Sequence, residues 1–338
     1  MSGLWRPITP TIVSIEVGHY ENNGSNSASM RINLNPTSGN NTHSSRPSLY
    51  VELDSAYAVG GTEYYTLKDA VEHASDGGTI TVLRDVTEKF AIEINKNVTI
   101  NLQGYTIDKK STSLTVGTGA TVTITGSTGS KLTTGTANVH TIDNQGTLTI
   151  EGNITIEHKG TSTVYNAIQN SRSGAVLNVK SGTITSTTSG IYNYNSYTVT
   201  NIGDSTQPMN TAIPVIIGET YGAYLNNGTI NFYSGIIKGK TASCNSTITP
   251  RTGYGIVTDT EDIDGTTYQT AFLSDSIYSI TDGGNTTFYI TLADAVSAAT
   301  DGQTITVLAN VLDAMGASIN KNVTLDMQNF TIKMNYNI

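Results

Sequence analysis

One stretch of this chain is present twice. Thr66–Val86 reads TLKDAVEHASDGGTITVLRDV, and Thr291–Val311 reads TLADAVSAATDGQTITVLANV. The two copies align without a gap, from Thr66 opposite Thr291 to Ile107 opposite Ile332, with 23 identities in 42 positions. Such a match indicates internal duplication, which has to be explained before any fold is assigned.

Each copy opens with a short amphipathic helix. Apolar residues recur there at helical spacing, and in the first copy they are Leu67, Ala70, Val71 and Ala74. A threonine with an aspartate three residues later gives a variant of the capping box, namely Thr66 with Asp69 and Thr291 with Asp294. We therefore predict helices at 66–75 and 291–299, each laid over the open first layer of a stack of strands.

Between the two copies, a glycine recurs ahead of alternating strands. The interval from Gly119 to Gly146 nearly equals that from Gly146 to Gly174, and the interval from Gly174 to Gly228 is close to twice as long. The missing member is expected near Tyr197, where the alternation continues without a glycine. Alternation of period two within a repeat of about 27 residues predicts coils of about three strands each.

A second phrase ends in asparagine just before these strands. Its members are Asn144, Asn170, Asn193 and Asn226. Asparagine tolerates left-handed backbone angles, and its amide can bond to the amide of the next layer. We therefore predict a structural asparagine repeat along the stack.

These phrases resemble the right-handed parallel β-helix of pectate-lyase-like proteins, over roughly residues 62–275 and again from 286 onward. The resemblance implies an all-β chain. We expect the chain to divide into a small antiparallel β domain at 1–60, a parallel β-helix at 61–275 and the start of a second β-helix at 276–338. About one coil follows the second helix, so we expect either that the natural chain continues after Ile338 or that a partner subunit covers this end.

Residues 1–60 differ from the coils and contain strand candidates separated by polar loops. We expect this piece to attach the rod to other virion or surface proteins, with Trp5 in a docking arm. The alternative is an ordinary N-terminal strand that packs on the first cap. The N-terminal residues carry no charged segment followed by a long apolar run, so no secretory signal is expected.

Composition excludes several classes of function. The net charge is −9 and only 13% of residues are charged, so nucleic acid is not an expected partner. No stretch is apolar enough to span a membrane, and the single cysteine, Cys244, rules out a disulfide framework within the chain. The histidines have no metal-ligand spacing. No cofactor is expected.

Catalytic residues are not identifiable. The resemblance implies clustered acids beside a basic residue in the enzymes of that family, and no position here matches such a motif. The one acidic cluster, TDTEDIDG, contains Asp259, Glu261, Asp262 and Asp264 but lacks the full pattern of a calcium loop, so a solvated loop is favoured.

Tyrosine is concentrated between residues 190 and 255. The residues are Tyr192, Tyr194, Tyr197, Tyr221, Tyr224, Tyr233 and Tyr254. Tyrosines one coil apart can stack in space, and a row of exposed rings suits contact with a sugar or a protein. The alternative is a ladder that serves packing only.

We expect a non-enzymatic structural fibre of a bacteriophage virion that attaches to a surface, such as a host glycan. By analogy with phage fibres and tailspikes alone, we expect a homo-oligomer, and specifically a trimer. A bacterial cell-surface adhesin and a polysaccharide lyase or depolymerase remain the alternatives, since fold alone does not determine function.

Overall fold

The computed structural model describes residues 54–110, 112–313 and 316–334. The described residues from Ala56 onward belong to one compact unit. Trp5 and almost all of the predicted attachment domain lie outside the described residues. The predicted boundary at residue 60 is wrong at its C-terminal side, because Tyr57–Val59 already pairs with the first strand of the solenoid.

The first cap combines a hairpin and a helix. Strands β1 (Tyr57–Val59) and β2 (Thr62–Tyr64) form the hairpin, and helix α1 (Leu67–His73) follows. The Thr66 hydroxyl accepts a hydrogen bond from the Asp69 backbone N–H at 3.1 Å, which places it as the N-cap. The apolar stripe of α1 is buried against the core of the first coils. The helix therefore seals the first layer, as the sequence predicts.

Parallel strands then build three faces. The first face contains β3 (Gly78–Val82), β6 (Val98–Asn101), the first halves of β9 (Thr121–Thr134) and β11 (Thr147–His158), β13 (Val176–Val179), β16 (Val199–Ile202), β19 (Thr229–Phe232) and β22 (Thr249–Pro250). The second face contains β4 (Val86–Glu88), β7 (Thr106–Lys109), the second halves of β9 and β11, β14 (Thr183–Ser186), β17 (Val215–Gly218) and β20 (Ile236–Gly239).

The third face is a sheet of 7 strands. Its members are β5 (Ile92–Ile94), β8 (Leu114–Val116), β10 (Ile142–Asn144), β12 (Ile168–Asn170), β15 (Ser189–Asn193), β18 (Tyr221–Leu225) and β21 (Ala242–Cys244). Every strand pair within it is parallel. At about 4.8 Å per layer, six steps between its outermost strands span roughly 29 Å. The described coils therefore form an all-β parallel solenoid.

Alternation places one set of side chains inside the coils. On the third face, Ile142 pairs with Ile168 and Ile168 pairs with Ile191, and all three side chains are fully buried. On the first face, Leu148 and Leu177 are likewise paired and buried. Because the register holds from coil to coil, like residues stack on like, and one continuous apolar core fills the solenoid.

The coils differ in length, contrary to a uniform repeat. The coil that runs from Ile191 to its partner Ala223 is longer than the coil from Ile142 to its partner Ile168. The additional residues of the longer coil lie in the connection between β16 and β17. Surface connections tolerate insertion because the strands alone carry the ladder of hydrogen bonds.

The recurring glycines fall at two neighbouring register positions. Gly119 and Gly174 each lie two residues before the first paired residue of the strand that follows, and their φ values are 82° and 83°. Tyr197 takes the same position in the coil that lacks the glycine, with φ of 59°. Gly146 and Gly228 lie one position later. The missing member is therefore a tyrosine held in a left-handed conformation that favours glycine.

We predict that Tyr197→Gly stabilises the coil by about 0.5–1 kcal/mol. A left-handed backbone costs a residue with a Cβ about 1–2 kcal/mol, and glycine avoids this cost. Part of the gain is lost because glycine gives up more backbone entropy on folding. Chemical denaturation is the measurement. Tyr197→Ala removes the ring and retains the strain, so it should give no gain. Equal stability of the glycine and alanine variants would contradict the prediction.

The parallel coils end earlier than residue 275. Strands β23 (Gly255–Ile263) and β24 (Thr266–Ser274) form an antiparallel hairpin, and β24 pairs antiparallel with β20 of the second face. The predicted extent of the first β-helix, 61–275, is therefore too long, because the TDTEDIDG segment and the strand after it form a hairpin instead of a further coil.

A second cap follows the hairpin. It contains β25 (Tyr278–Asp282), β26 (Asn285–Tyr289) and helix α2 (Leu292–Ala298), with Thr291 as N-cap accepting from the Asp294 backbone N–H at 3.1 Å. Strands β27 (Thr304–Val307), β28 (Asn310–Asp313), β29 (Thr324–Asp326) and β30 (Ile332–Met334) complete it, with β27 parallel to β29 and β28 parallel to β30. The duplicated sequence therefore starts a second solenoid with its own apolar cluster.

The hairpin joins the two solenoids through hydrogen bonds. Strand β24 pairs with β20 at the end of the first solenoid, and β23 pairs with β28 at the start of the second. The second face thus continues through two antiparallel strands into the next stack without an unpaired strand between them.

In the described part of the chain, no helix is both long and apolar enough to cross a membrane.

Candidate functional site

A groove on the third face contains most of the clustered tyrosines. We call it the tyrosine groove. Its volume is about 510 Å³, and it is lined by Thr163, Val164, Asn166, Gln169, Thr188, Ser189, Tyr192, Tyr194, Thr220, Tyr221 and Tyr224. These residues come from three consecutive coils. The groove therefore exists only because the solenoid stacks them.

Strand register places the rings against each other. The outward ladder of the third face runs from Gln169 to Tyr192 to Tyr224 in adjacent strands. The rings of Tyr192 and Tyr224 are stacked with centroids 5.0 Å apart and planes 10° apart. The ring centroids of Tyr194 and Tyr192 are 6.0 Å apart, and the Tyr221 ring meets the Tyr224 ring edge-on with centroids 5.2 Å apart. The four rings form one rigid cluster, because each restricts the rotation of the next.

The hydroxyl groups of this cluster are available for other partners. Among the described residues, none of the four tyrosine hydroxyls in the groove hydrogen-bonds another side chain or the backbone. Burial, together with the neighbouring Tyr224 and Tyr194, raises the pKa of the Tyr192 hydroxyl, so it stays protonated near neutral pH. These hydroxyls can donate and accept hydrogen bonds at the groove surface.

Three of the seven predicted tyrosines lie elsewhere. Tyr197 is 81% exposed at its turn and does not line the groove. Tyr233 lines a different groove on the first face. Tyr254 follows the last coil and packs, partly buried, against the core. The structure therefore brings four of the seven together and separates the other three.

An asparagine ladder inside the coils holds the third face in register. Asn144, Asn170 and Asn193 are fully buried and directly paired. The Asn144 amide donates to the Asn170 side-chain oxygen at 2.8 Å, and the Asn170 amide donates to the Asn193 oxygen at 3.4 Å. Each amide also donates to a backbone carbonyl near the next strand, so buried polar groups are satisfied.

Asn226 does not belong to this ladder, contrary to the prediction. Asn193 pairs with Leu225, and Asn226 is an exposed residue whose amide donates to the Tyr194 carbonyl at 2.9 Å. The shift by one residue has a physical reason. It keeps Ala223 buried against Ile191 and places Tyr224 outward beside Tyr192.

A histidine lies beside the groove, one coil before Gln169. Its Nδ1 accepts a hydrogen bond from the Asn166 backbone N–H at 3.0 Å, and the His140 ring packs on Tyr165 at 4.9 Å. Burial lowers the pKa of His140 to about 4, with a smaller opposing effect from the Asp143 charge and a further lowering from His158. His140 is therefore neutral near pH 7.

We predict that acid weakens this coil between pH 6.5 and 4. The folded pKa of His140 lies below the unfolded value of about 6.5, so the unfolded chain takes up the proton first, and stability that is present above pH 6.5 is lost as pH falls. The loss at pH 5 is about 2 kcal/mol. Urea midpoints at pH 7 and pH 5 measure it.

His140→Gln is the matched variant for this prediction, since it retains a polar side chain and removes the titration. Its midpoint should depend less on pH over that interval than the midpoint of the unchanged chain. The same pH dependence in both proteins would contradict the assignment to His140.

A second groove on the first face carries charged groups. Its volume is about 370 Å³, and its lining includes Lys180, Asp204 and Tyr233. The Lys180 ammonium lies 3.8 Å from a carboxylate oxygen of Glu151 and 3.9 Å from one of Asp204. Hydrogen bonds from Thr206 lower the pKa of Asp204, so this carboxyl is ionised at neutral pH and is a poor proton donor.

The acidic cluster of the sequence lies at the tip of the β23–β24 hairpin. Asp262 accepts a hydrogen bond from the Gly265 backbone N–H at 2.8 Å, and Asp264 and Gly265 have positive φ angles, which suits a tight turn. Glu261 forms an ion pair with Lys238 at 2.7 Å. Within the described residues, no group of three or more histidine, cysteine or acidic side chains has a metal-binding arrangement.

Sequence reasoning misses the polar half of the tyrosine groove. Gln169 and Asn166 come from the coil before the tyrosine cluster, and Thr188 and Ser189 lie just before Tyr192 on its own coil. Asn166 accepts from the Ser189 backbone N–H at 3.2 Å and thereby fixes the groove floor. One sequence signal does indicate the outward position of Gln169. Gln169 and Tyr192 each directly precede an asparagine of the repeat, so both face outward on neighbouring strands.

Comparisons of this chain with protein-family models, with curated proteins and with solved structures found no match.

Proposed function

We propose that this chain is a rod segment of a surface-attachment fibre, an appendage of a bacteriophage virion that presents its third face to a host surface. One observation carries the proposal: the second face continues by hydrogen bonds from the first solenoid through the β23–β24 hairpin into the second. Such a joint transmits force and keeps successive solenoids in a fixed relation, which a fibre requires.

The groove supports attachment as the task of this rod. It lies on a lateral face, Tyr192 and Tyr224 at its centre belong to adjacent strands, and their rings are stacked. A contact surface that is organised before binding loses little conformational entropy when a partner arrives. The rod supplies reach, and the groove supplies the contact.

The virion assignment draws on the layout that the sequence predicts, with an attachment piece at 1–60 before tandem solenoids. In this proposal, residues 1–60 bind other virion proteins, and the appendage is a homo-oligomer. A bacterial cell-surface adhesin is the alternative with the same rod and a different anchor.

A degradative enzyme is the second candidate. The observation that favours it is that the Lys180 ammonium lies 3.8 Å from a carboxylate oxygen of Glu151 and 3.9 Å from one of Asp204, with Lys180 and Asp204 lining the groove on the first face. Paired carboxylates in a groove are the minimal requirement of glycoside cleavage. The lowered pKa of Asp204 argues against a general acid at this position, and we propose a non-catalytic role for the protein.

Immunogold electron microscopy of the source culture, with antibodies against the purified chain, tests the proposal. Labelled appendages on phage particles support it, and labelled bacterial walls support the adhesin instead. In parallel, the purified chain is incubated with host polysaccharide and new reducing ends are measured. Their release, and its loss in Glu151→Gln with Asp204→Asn, would establish the enzyme and overturn the proposal.

A further inference from the structure

We propose that the tyrosine groove binds an uncharged oligosaccharide, an inference that rests on the proposed attachment function and specifies its ligand. The first argument is charge. All eleven residues that line the groove are neutral, in a chain of net charge −9. No ammonium or guanidinium group lines it to pair with a uronate, sialate or phosphate, so an anionic ligand would gain no ion pair and would meet a repulsive field.

The nearest acidic residue by sequence is already engaged. Glu219 precedes the lining residue Thr220, and it accepts a hydrogen bond from the Tyr268 hydroxyl at 2.8 Å and forms an ion pair with Lys240. This carboxylate is therefore not directed into the groove as a partner for a cationic ligand. Among the residues that line the groove, neither a cationic nor an anionic ligand finds a group for an ion pair.

The second argument is the pairing of ring surfaces with polar groups. A sugar presents apolar C–H faces and a rim of hydroxyls, so its site needs aromatic surface beside hydrogen-bonding groups. Tyr194 is 50% exposed and offers ring surface, and Gln169 offers an amide in the strand next to Tyr192. Together with the tyrosine hydroxyls, these groups can contact both parts of a sugar.

The third argument is size and rigidity. A volume of about 510 Å³ lies within the range of roughly 300–1,000 Å³ of small-ligand sites. Tyr192 and Tyr224 hold each other in place through their stacked rings, and Asn166 fixes the strand beneath them. The site is therefore formed before ligand arrives, as recognition of weakly interacting sugars requires.

Binding of the full chain to an array of oligosaccharides tests this inference. The probes are neutral gluco-, galacto- and manno-oligosaccharides of two to six units, with polygalacturonate and polysialic acid as the anionic set. We expect binding of at least one neutral probe and of no anionic probe. Affinity should be unchanged between about 50 and 500 mM salt, because no charge pair is involved.

Variants then locate the site. Tyr194→Ala should weaken binding of the neutral probe at least about tenfold, as truncation of a central aromatic contact does. Tyr192→Phe with Tyr224→Phe retains the stacked rings and should weaken it roughly threefold to tenfold through lost hydrogen bonds. Tyr105→Ala is the matched control, since Tyr105 is 37% exposed outside the groove, and it should bind as the unchanged chain does.

Several results would overturn the inference: binding of anionic probes, binding of no neutral probe, or neutral binding that the groove variants leave unchanged. Adhesion of the fluorescent chain to host cells separates this failure from failure of the proposed function. Adhesion without neutral-glycan binding refutes the ligand assignment and leaves attachment standing. No adhesion at all refutes attachment itself.

Discussion

Glu88→Ala should destabilise the first cap by about 3–5 kcal/mol, because it removes the acceptor of two buried donors and a negative charge that stabilises a buried ammonium. The Glu88 Oε1 accepts from the Tyr57 hydroxyl at 2.8 Å and from the Leu67 backbone N–H, the first donor of helix α1, at 2.9 Å. Glu88 is 5% exposed, so water does not replace it.

Lys109 makes the loss larger. Its side chain is fully buried, and its ammonium donates to the Phe90 carbonyl at 2.7 Å. Burial lowers the pKa of Lys109 to about 8, and the Glu88 charge raises it in opposition. Without that charge, the pKa of Lys109 falls further, so the folded chain either keeps an ammonium held by one carbonyl or gives up its proton, and both lower the stability.

Hydrogen exchange with chemical denaturation measures the effect, because a solenoid can open from one end. Amide protection in β3 and β4 should fall in Glu88→Ala while protection in β15 and β18 remains. Glu88→Gln is the matched control, since it keeps an acceptor and removes the charge, and it should lose about 1–2 kcal/mol less than Glu88→Ala. Equal losses in the two variants would show that the two hydrogen bonds to Glu88 contribute nothing beyond its charge.

Asn170→Ala should cost roughly 2–4 kcal/mol, because it breaks a buried amide ladder at its middle. The Asn170 amide donates to the Val199 carbonyl at 3.1 Å, and its oxygen accepts from Asn144. Removing both leaves buried polar groups unpaired in two neighbouring coils.

Asn226→Ala is the matched control for the ladder. Asn226 has the same side chain and the same position in the sequence phrase, but it is exposed and lies outside the ladder. Its replacement should cost less than about 0.5 kcal/mol, as surface substitutions do. Denaturation midpoints compare the two. Similar losses would indicate that burial of Asn170 is not what stabilises the stack.

The sequence predicts the solenoid because its signals are local and repeated. The capped helix is specified by Thr66 and its apolar stripe, and the alternation around Asn144 and Asn170 directly gives the inward and outward sets. Four groove tyrosines could likewise be named, since residues a coil apart become neighbours in parallel strands.

The remaining features depend on interactions that the sequence does not display. Asn226 ends the same recurring phrase as the earlier asparagines. Packing of Ala223 beneath Ile191 nevertheless sets the strand register and puts Leu225 at the ladder position. The β23–β24 hairpin has the same alternation as a coil, and only the turn at Asp264 and Gly265 reverses it. Gln169 joins the groove through tertiary stacking, and its place directly before an asparagine of the repeat is the one sequence signal for its outward position.

The stacking of coils in register is the claim on which the groove and the rod both depend, and one distance tests it most directly. Thr79 and Thr249 are exposed ends of a first-face ladder of seven strand-to-strand steps. Spin labels at Thr79→Cys and Thr249→Cys, in a chain with Cys244→Ser, should give one narrow distance near 34 Å, about 4.8 Å per step. A broad distribution, or a maximum below about 25 Å, would contradict the stacked solenoid.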